Sequence, residues 1–523
     1  MDSERLFYHT RLIPKEYLNL DTPMGKTVVI NKLCDTAEPY VLDVMKDYGI
    51  DMVETRLVWW GLEKEKGVYD FSRLEDEIEK IKKAGMKVGL FAWLQHPPEW
   101  FVENEDYTHL TCIEHNEKSR LISLWDERLI EIYDRLYSVI AEKIGEKIDY
   151  WYIGVYGDYG ELFFPNAVRH YRFLSEHNHT GLWCGDEKAR KSYEKFLRNK
   201  YKTEENLNKS WKTENVKFEN TMYFAENDSL NKKLDFRAWY CGSMSDFTDK
   251  VCAIARKHFP NIKMALPIGH TYEPLEIGQI KSHASKIAAK YNITARWTGW
   301  AYFGDFEMTN ICARRVASAA KFCGTDFAVE AALYLEGDTA SHAIFEALSN
   351  SAVLLHNDPG NIMRGMEVYK EFKNLDKPPL YECKTAVFYP IEAEQCGVID
   401  IEKFWGEIAV LRRSFDYEIA DSYMIEDGFL DNIETLVFAS NTPLTSAVAE
   451  VIMKHVNEKG LKLFCTDGNM PYIMDGESKK TLPCEILGKE ITENTKRIYR
   501  TEFPDYTLVF NAEENKITAE KNI

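Results

Sequence analysis

Between residues 26 and 370 the chain repeats one pattern: a short apolar run, then a stretch with apolar residues at helical spacing. The runs are Lys26–Asn31, Met52–Trp60, Met86–Trp93, a stretch opening at Tyr150, Ile262–Pro267, Thr294–Trp300, Thr325–Ala331 and Ser351–His356. Each reads as a buried strand. Among the helical patterns, Thr36–Tyr48 carries Val41, Val44 and Met45 on one face. In Phe71–Ala84, Ser72 can cap and Glu75 follows three residues on, while Leu74, Ile78 and Ile81 share a face. Glu127–Ile144 predicts a long helix. Eight strands alternating with helices predict a (β/α)8 TIM barrel, with an insertion over about residues 168–260 between the fourth and fifth strands.

After Lys377-Pro378-Pro379 the pattern resets. Thr385–Tyr389, Glu418–Asp421, Thr435–Ala439 and Leu461–Thr466 read as strands of a small open α/β sheet. No G-x-G-x-x-G loop accompanies them, so nucleotide binding is not implied. Thr507–Ala512 and Lys516–Ala519 alternate and predict a small β appendage. The expected division is a barrel over residues 1–375, an α/β domain over 376–484 and a β segment over 485–523.

A net charge of -19 argues against nucleic acid or an anionic membrane as the main partner. The 11 cysteines are scattered without a C-x-x-C pair, which points to a reduced compartment and away from a metal site; no cofactor is implied. The N-terminal stretch MDSERLFYHTRLIPKEY lacks a signal-peptide core and no run is long enough to span a bilayer, so a cytoplasmic protein is expected.

In a barrel, ligands sit at the C-terminal ends of the strands. Here those ends carry Trp59 and Trp60, then Trp93, His96 and Trp100, then Asp158 and Glu161 in YWYIGVYGDYGELFFPNA. His270, Tyr272 and Glu273 follow the fifth strand; Trp297, Trp300, Tyr302 and Asp305 the sixth; Glu330 the seventh; His356, Asn357 and Asp358 the eighth. Two carboxylates across an aromatic cleft are what glycosidic cleavage needs: one protonates the leaving oxygen, the other attacks the anomeric carbon or activates water. Glu161 and Glu330 are the candidate pair, with Asp158 the alternative acid. Glu330 is the sharper of the two, because a carboxylate inside DFAVEA is costly unless paired or used. Trp60, Trp93, His96, Asp158, His270, Trp297, Trp300, Tyr302 and Asn357 are the candidate sugar-binding residues. Trp59 is expected in the core.

Several segments resemble the glycoside hydrolase family 42 β-galactosidases. GLEKEKGVYDFSRLEDEIEKIKKAGMKVGLF is similar to that family's second helix unit, HPPEWF to its Pro-Pro-x-Trp-Leu loop, and FLRNKYKTEENLNKSW to its most specific segment. Lys384–Asp467, with RRSFDYEIAD and DGFL, resembles the family's Rossmann-like, flavodoxin-like trimerisation domain. The resemblance implies a homotrimer and exo-acting, retaining hydrolysis of a small oligosaccharide or glycoside, a β-galactoside by default. Two features depart from it. Where the family carries Asn-Glu-Tyr-Gly, this chain has Val155-Tyr156-Gly157. The GDYGELFFP that follows is similar to the G-P-A-G-E-L-R-Y-P of the inverting β-amylases of family 14. In that second resemblance Glu161 takes the general-acid role and Glu330 that of the other carboxylate. The cysteine cluster that holds zinc in some family 42 members is absent. Mannosides or glucosides therefore remain open as substrates. So do an inverting reaction, a catalytically inactive carbohydrate-binding barrel, and a phosphorylase or transglycosidase using Arg56 and Arg296 as an anion site.

Overall fold

The computed structural model describes residues 27–29, 42, 50–165, 179–221, 227–298, 306–330, 339–356, 378–476 and 479–522. The expected helix Thr36–Tyr48 falls almost wholly outside them. Eight parallel strands follow one another in chain order: β1 (Thr27–Val29), β2 (Met52–Val58), β3 (Lys87–Trp93), β4 (Tyr150–Tyr152), β5 (Lys263–Ile268), β6 (Thr294–Thr298), β7 (Phe327–Glu330) and β8 (Leu354–His356). β8 returns beside β1. Helices separate them: α1 (Ser72–Lys83), α2 (Arg128–Ile144), α3 (Leu230–His258), α4 (Lys281–Lys290), α5 (Phe306–Cys323) and α6 (Thr339–Ser349). Sequential parallel strands with helical crossovers make the (β/α)8 barrel.

The period-2 alternation of each strand divides its side chains between two cores. Met52, Val58, Phe91, Trp93, Tyr150, Tyr152, Ala265, Ala328 and Leu354 fill the inside of the barrel. The intervening residues, among them Val53, Leu57, Leu90, Trp151, Leu266, Trp297 and Val329, face outward and pack with the helices. On α2 the outer core receives Leu129, Ile132, Tyr133, Leu136, Tyr137 and Ile140, a helical stripe buried against its neighbours.

Local chemistry explains several motif residues. Ser72 does not cap α1; it is the first helical residue, and its N–H and hydroxyl both donate to Asp70. Glu63 is buried and accepts from Trp59 Nε1 (2.7 Å), Gly67 N (2.9 Å) and Arg135. It thereby fixes the turn between β2 and α1. In the insertion, Asp235 of α3 accepts from Tyr201 (2.6 Å) and Trp211 (2.7 Å), which holds the FLRNKYKTEENLNKSW segment on that helix. A hairpin, His109–Thr111 with Lys118–Ile122, sits between β3 and α2; its strands are too short to give a sequence signal.

A second parallel sheet runs β9 (Thr385–Phe388), β10 (Glu418–Ala420), β11 (Thr435–Phe438), β12 (Lys462–Cys465) and β13 (Glu485–Ile486), in the order β10-β9-β11-β12-β13. Residues 498–521 form a three-stranded antiparallel sheet. The barrel and the second sheet are joined by buried charge: Arg315 on α5 pairs with Glu273 (3.2 Å) and with Asp421, and all three are fully buried. Among the described residues no helix is long and apolar enough to cross a membrane.

Candidate active site

The chain leaving β4 turns sharply at Gly157 and Gly160, both at positive φ. A side chain at Gly160 would run into the Trp93 ring, with a Cβ only 2.8 Å from Cδ1. Backbone bonds from Val155 to Gly160 (2.7 Å) and from Tyr156 to Glu161 (3.1 Å) close the turn. The turn sends Glu161 back over the barrel mouth, where its carboxyl lies against Gly269 at the end of β5. A Cβ added there would sit 2.5 Å from Glu161 Cδ.

Glu330 ends β7 and stands in register with Thr298 on β6 and His356 on β8. Its Oε2 is 2.9 Å from Arg296 Nη2. The same nitrogen donates to Thr298 Oγ1 (3.1 Å), and Thr298 in turn hydrogen-bonds Glu161. One guanidinium and one hydroxyl therefore connect the two carboxylates. Burial, and after it the charge of Glu330, push the Glu161 carboxyl up to about 7, against the pull of Thr298 and Arg296. Glu161 therefore keeps its proton in mildly acidic solution and gives it up near neutral pH.

The aromatic wall is built from the inner face. Trp93 meets Phe91, His96 and Tyr159 edge-on, and the Arg56 guanidinium lies 5.0 Å from its ring centre. Trp60 packs against the same cluster, half-buried, while Trp59 lies in the outer core. The two are not consecutive strand residues: Trp59–Leu62 is a helical turn. His96 is buried, and that burial pushes its ring down to about 3, so it is neutral; its Nε2 lies 3.1 Å from the Asp158 carbonyl oxygen. Asp158 is buried and its charge adds to the rise at Glu161. His270 sits at φ +71° with Nδ1 donating to the Tyr272 carbonyl (3.2 Å). Burial, then the Lys281 charge, push it down to about 4.

Trp297 is a correction. Arg296 and Thr298 point inward, so Trp297 points outward and is buried among the helices, away from the cleft. Trp300, Tyr302 and Asn357 lie outside the described residues. Arg56 and Arg296 do not form an anion site: the first lies 3.8 Å from Glu54 and the second is held by Glu330. Thr298, Arg296 and Glu54 are the site residues that the list of strand ends leaves out. Their signal is parity: polar residues at alternate positions of apolar strands, as in MVETRLV and TARWT.

A second cluster lies elsewhere. Cys112, His115 and His179 bring their ligand atoms within 4.8 Å of one another. His115 Nδ1 is 3.2 Å from His179 Nε2 and 3.8 Å from Cys112 Sγ. Bond lengths of about 2.05 Å to nitrogen and 2.3 Å to sulfur in a tetrahedron put such pairs about 3.3 and 3.6 Å apart, so the residues fit zinc. His179 Nδ1 donates to the Thr180 carbonyl (2.9 Å), which turns a bare Nε2 toward the cluster. The pairing of residues 64 apart hides this set from spacing alone.

The model of the family described as beta-galactosidase, glycoside hydrolase family 42, matches residues 37–298. Beta-galactosidase LacA from Lactobacillus acidophilus is 24% identical over 186 residues, and the match covers 32% of this chain and 23% of that relative. The chain thus spans about a quarter of the length of the curated relative it matches. Among solved structures, the catalytic mutant of Gan42B, a beta-galactosidase from G. stearothermophilus, superposes with a TM-score of 0.65 at 12% identity, covering 96% of this chain and 80% of that one. The beta-galactosidase from Bacillus circulans sp. alkalophilus gives 0.63 at 13% identity, covering 95% and 80%. At such identities the likeness speaks for the fold. With the family model matching half of the chain, this protein belongs to glycoside hydrolase family 42.

Proposed function

We propose that the protein is an exo-acting, retaining glycosidase of terminal β-hexosides, β-galactosides first. Glu161 is the general acid and then base, and Glu330 is the nucleophile. The observation that carries the reading is the Glu161–Thr298–Arg296–Glu330 connection, with one carboxyl raised and the other against a guanidinium. The Glu161 carboxyl gives its proton to the glycosidic oxygen as a Glu330 oxygen bonds to C1 and the C1–O bond breaks, releasing the aglycone as an alcohol. Glu161 then takes a proton from water, whose oxygen attacks C1 and releases Glu330. Trp60 and Trp93 offer apolar faces to the ring; neutral His96 and His270, with Asp158, suit hydroxyls. The similarity of GELFFP to the β-amylases favours one second reading, inversion with Glu330 as base. A panel of 4-nitrophenyl glycosides with NMR of the first-formed anomer tests both. Cleavage of the β-galactoside with retention is expected; ligand binding without turnover of any glycoside would overturn the assignment.

Gly269 supplies a sharper test. Gly269→Ala forces the Glu161 carboxyl to move, because the new methyl would lie 2.5 Å from Cδ. A misplacement of about 1 Å costs on the order of 100-fold in turnover. The expected result is that loss in kcat with a melting temperature close to wild type.

The proposal extends to three structural units, a homotrimer assembled through the second sheet, and a cytoplasmic location. Cys112, His115 and His179 would hold a zinc ion that cross-links the hairpin to the insertion, a structural role apart from the carboxylates. Elemental analysis of protein purified without chelator is expected to find about one zinc per chain, and none when His115→Ala and His179→Ala are combined.

A further inference from the structure

His356 and Glu54 have no part in the proposed reaction, yet both are buried inside the barrel, each about 1% exposed. His356 Nδ1 lies 2.6 Å from Arg296 Nη1. A guanidinium only donates, so Nδ1 accepts. Burial, then the charges of Arg296 and Arg56, keep the ring neutral. Its single proton is therefore on Nε2, which faces Glu54 Oε2 at 3.5 Å. At 3.5 Å the two atoms approach without closing a hydrogen bond, and among the described residues neither Nε2 nor Oε2 has a hydrogen-bond partner. In this ring orientation Nδ1 accepts from Arg296 and the Nε2 proton faces the Glu54 carboxyl, whose acceptor oxygen favours it over the flipped ring.

On its other edge Arg296 Nη2 reaches Glu330 and Thr298. The guanidinium thus has two faces, one toward the carboxylates and one toward His356. It also lies over the Tyr152 ring, 5.0 Å from its centre. The stack limits tilting of the plane but leaves rotation within it, and a partner on the Nη1 side removes that freedom.

We propose that His356 and Glu54 are positioning residues for hydrolysis: Glu54 orients His356, His356 locks Arg296, and Arg296 holds Glu330 and Thr298 at the anomeric carbon. The inference rests on Glu161 and Glu330 being the working carboxylates. The other charged or titratable groups that face this pair among the described residues are Arg56 on β2, Tyr152 on β4, Arg296 on β6 and Glu330 on β7. Burial pushes the Glu54 carboxyl up to about 7, against the pull of Arg56 and Arg296. It titrates in the same range as Glu161.

Two variants test this, Glu54→Gln and His356→Phe, each read by kinetics and by a crystal structure. In both, kcat is expected to fall about tenfold or more with KM within about twofold, because what is lost is transition-state alignment. In Glu54→Gln the basic limb of kcat/KM is expected to move down by about half a pH unit, since a negative charge leaves the network. The crystal structures are expected to show Arg296 turned away from Glu330, with the 2.9 Å contact broken. Wild-type kcat, an unmoved limb and an intact contact would overturn the proposal. A uniform loss of active protein with an unchanged limb would do the same, marking a merely structural role. Glu54→Gln alters one atom type and decides alone if His356→Phe does not fold. Failure of the carboxylate reading looks different: Glu161→Gln or Glu330→Gln would then keep turnover, while the Arg296 contact would still report on the relay.

Discussion

Glu330→Gln is expected to lower kcat/KM on the cleaved glycoside at least about 1,000-fold while the protein keeps its fold. The amide preserves size and an oxygen for Arg296, but it cannot form the bond to C1. Glu161→Gln should behave differently. Its loss depends on the leaving group: large, on the order of 1,000-fold, for an alkyl or sugar aglycone, and much smaller for 4-nitrophenolate, which needs little protonation. Wild-type activity should fall as pH rises through about 7, where Glu161 loses the proton that it donates. The stability effect has the opposite sense. Between the ordinary carboxyl value of 4.5 and about 7 the folded chain holds a proton that the unfolded chain releases, so stability falls with rising pH in that window. Glu161→Gln removes this loss and should melt higher than wild type at pH 8. Equal activity of either variant and wild type on a disaccharide would contradict the pair.

Arg315→Met is the other large effect, and it acts on stability. Burial raises the carboxyl of Asp421, yet the Arg315 charge and the Ser282 hydroxyl hold it below its usual range. Removing the guanidinium leaves Glu273 and Asp421 buried without it, at a cost of about 3–5 kcal/mol. Denaturant unfolding should show this as an earlier midpoint in which the barrel and the second sheet separate. An unchanged midpoint would mean that water reaches the pair. Because Glu273 also accepts from the Lys281 amide (2.8 Å), and the Lys281 ammonium donates to the carbonyls of His270 and Thr271, the turn after β5 should loosen as well.

The barrel is legible in the sequence because each inner strand is a compact apolar run, and a parallel sheet buried on both faces can be little else. Glu330 is legible for the same reason: an acid in an apolar strand marks itself. Side-chain direction is harder. Thr294–Thr298 shows Trp297 as the largest residue at a strand end, but its neighbours Arg296 and Thr298 occupy the inner positions and exclude it from the cleft. Trp59 and Trp60 read as strand because both are aromatic; Gly61 and the Glu63 acceptor curl them into a turn instead. The Cys112, His115 and His179 cluster depends on an insertion folding back on a hairpin, a contact that no local pattern encodes.

The most direct test is a crystal structure of Glu161→Gln with an uncleaved β-galactoside bound. The account predicts the sugar ring against Trp93, its anomeric carbon about 3–3.5 Å from a Glu330 oxygen, and the glycosidic oxygen within hydrogen-bond reach of side chain 161. A ring bound with C1 turned away from Glu330, or with another carboxylate in the attacking position, would contradict it.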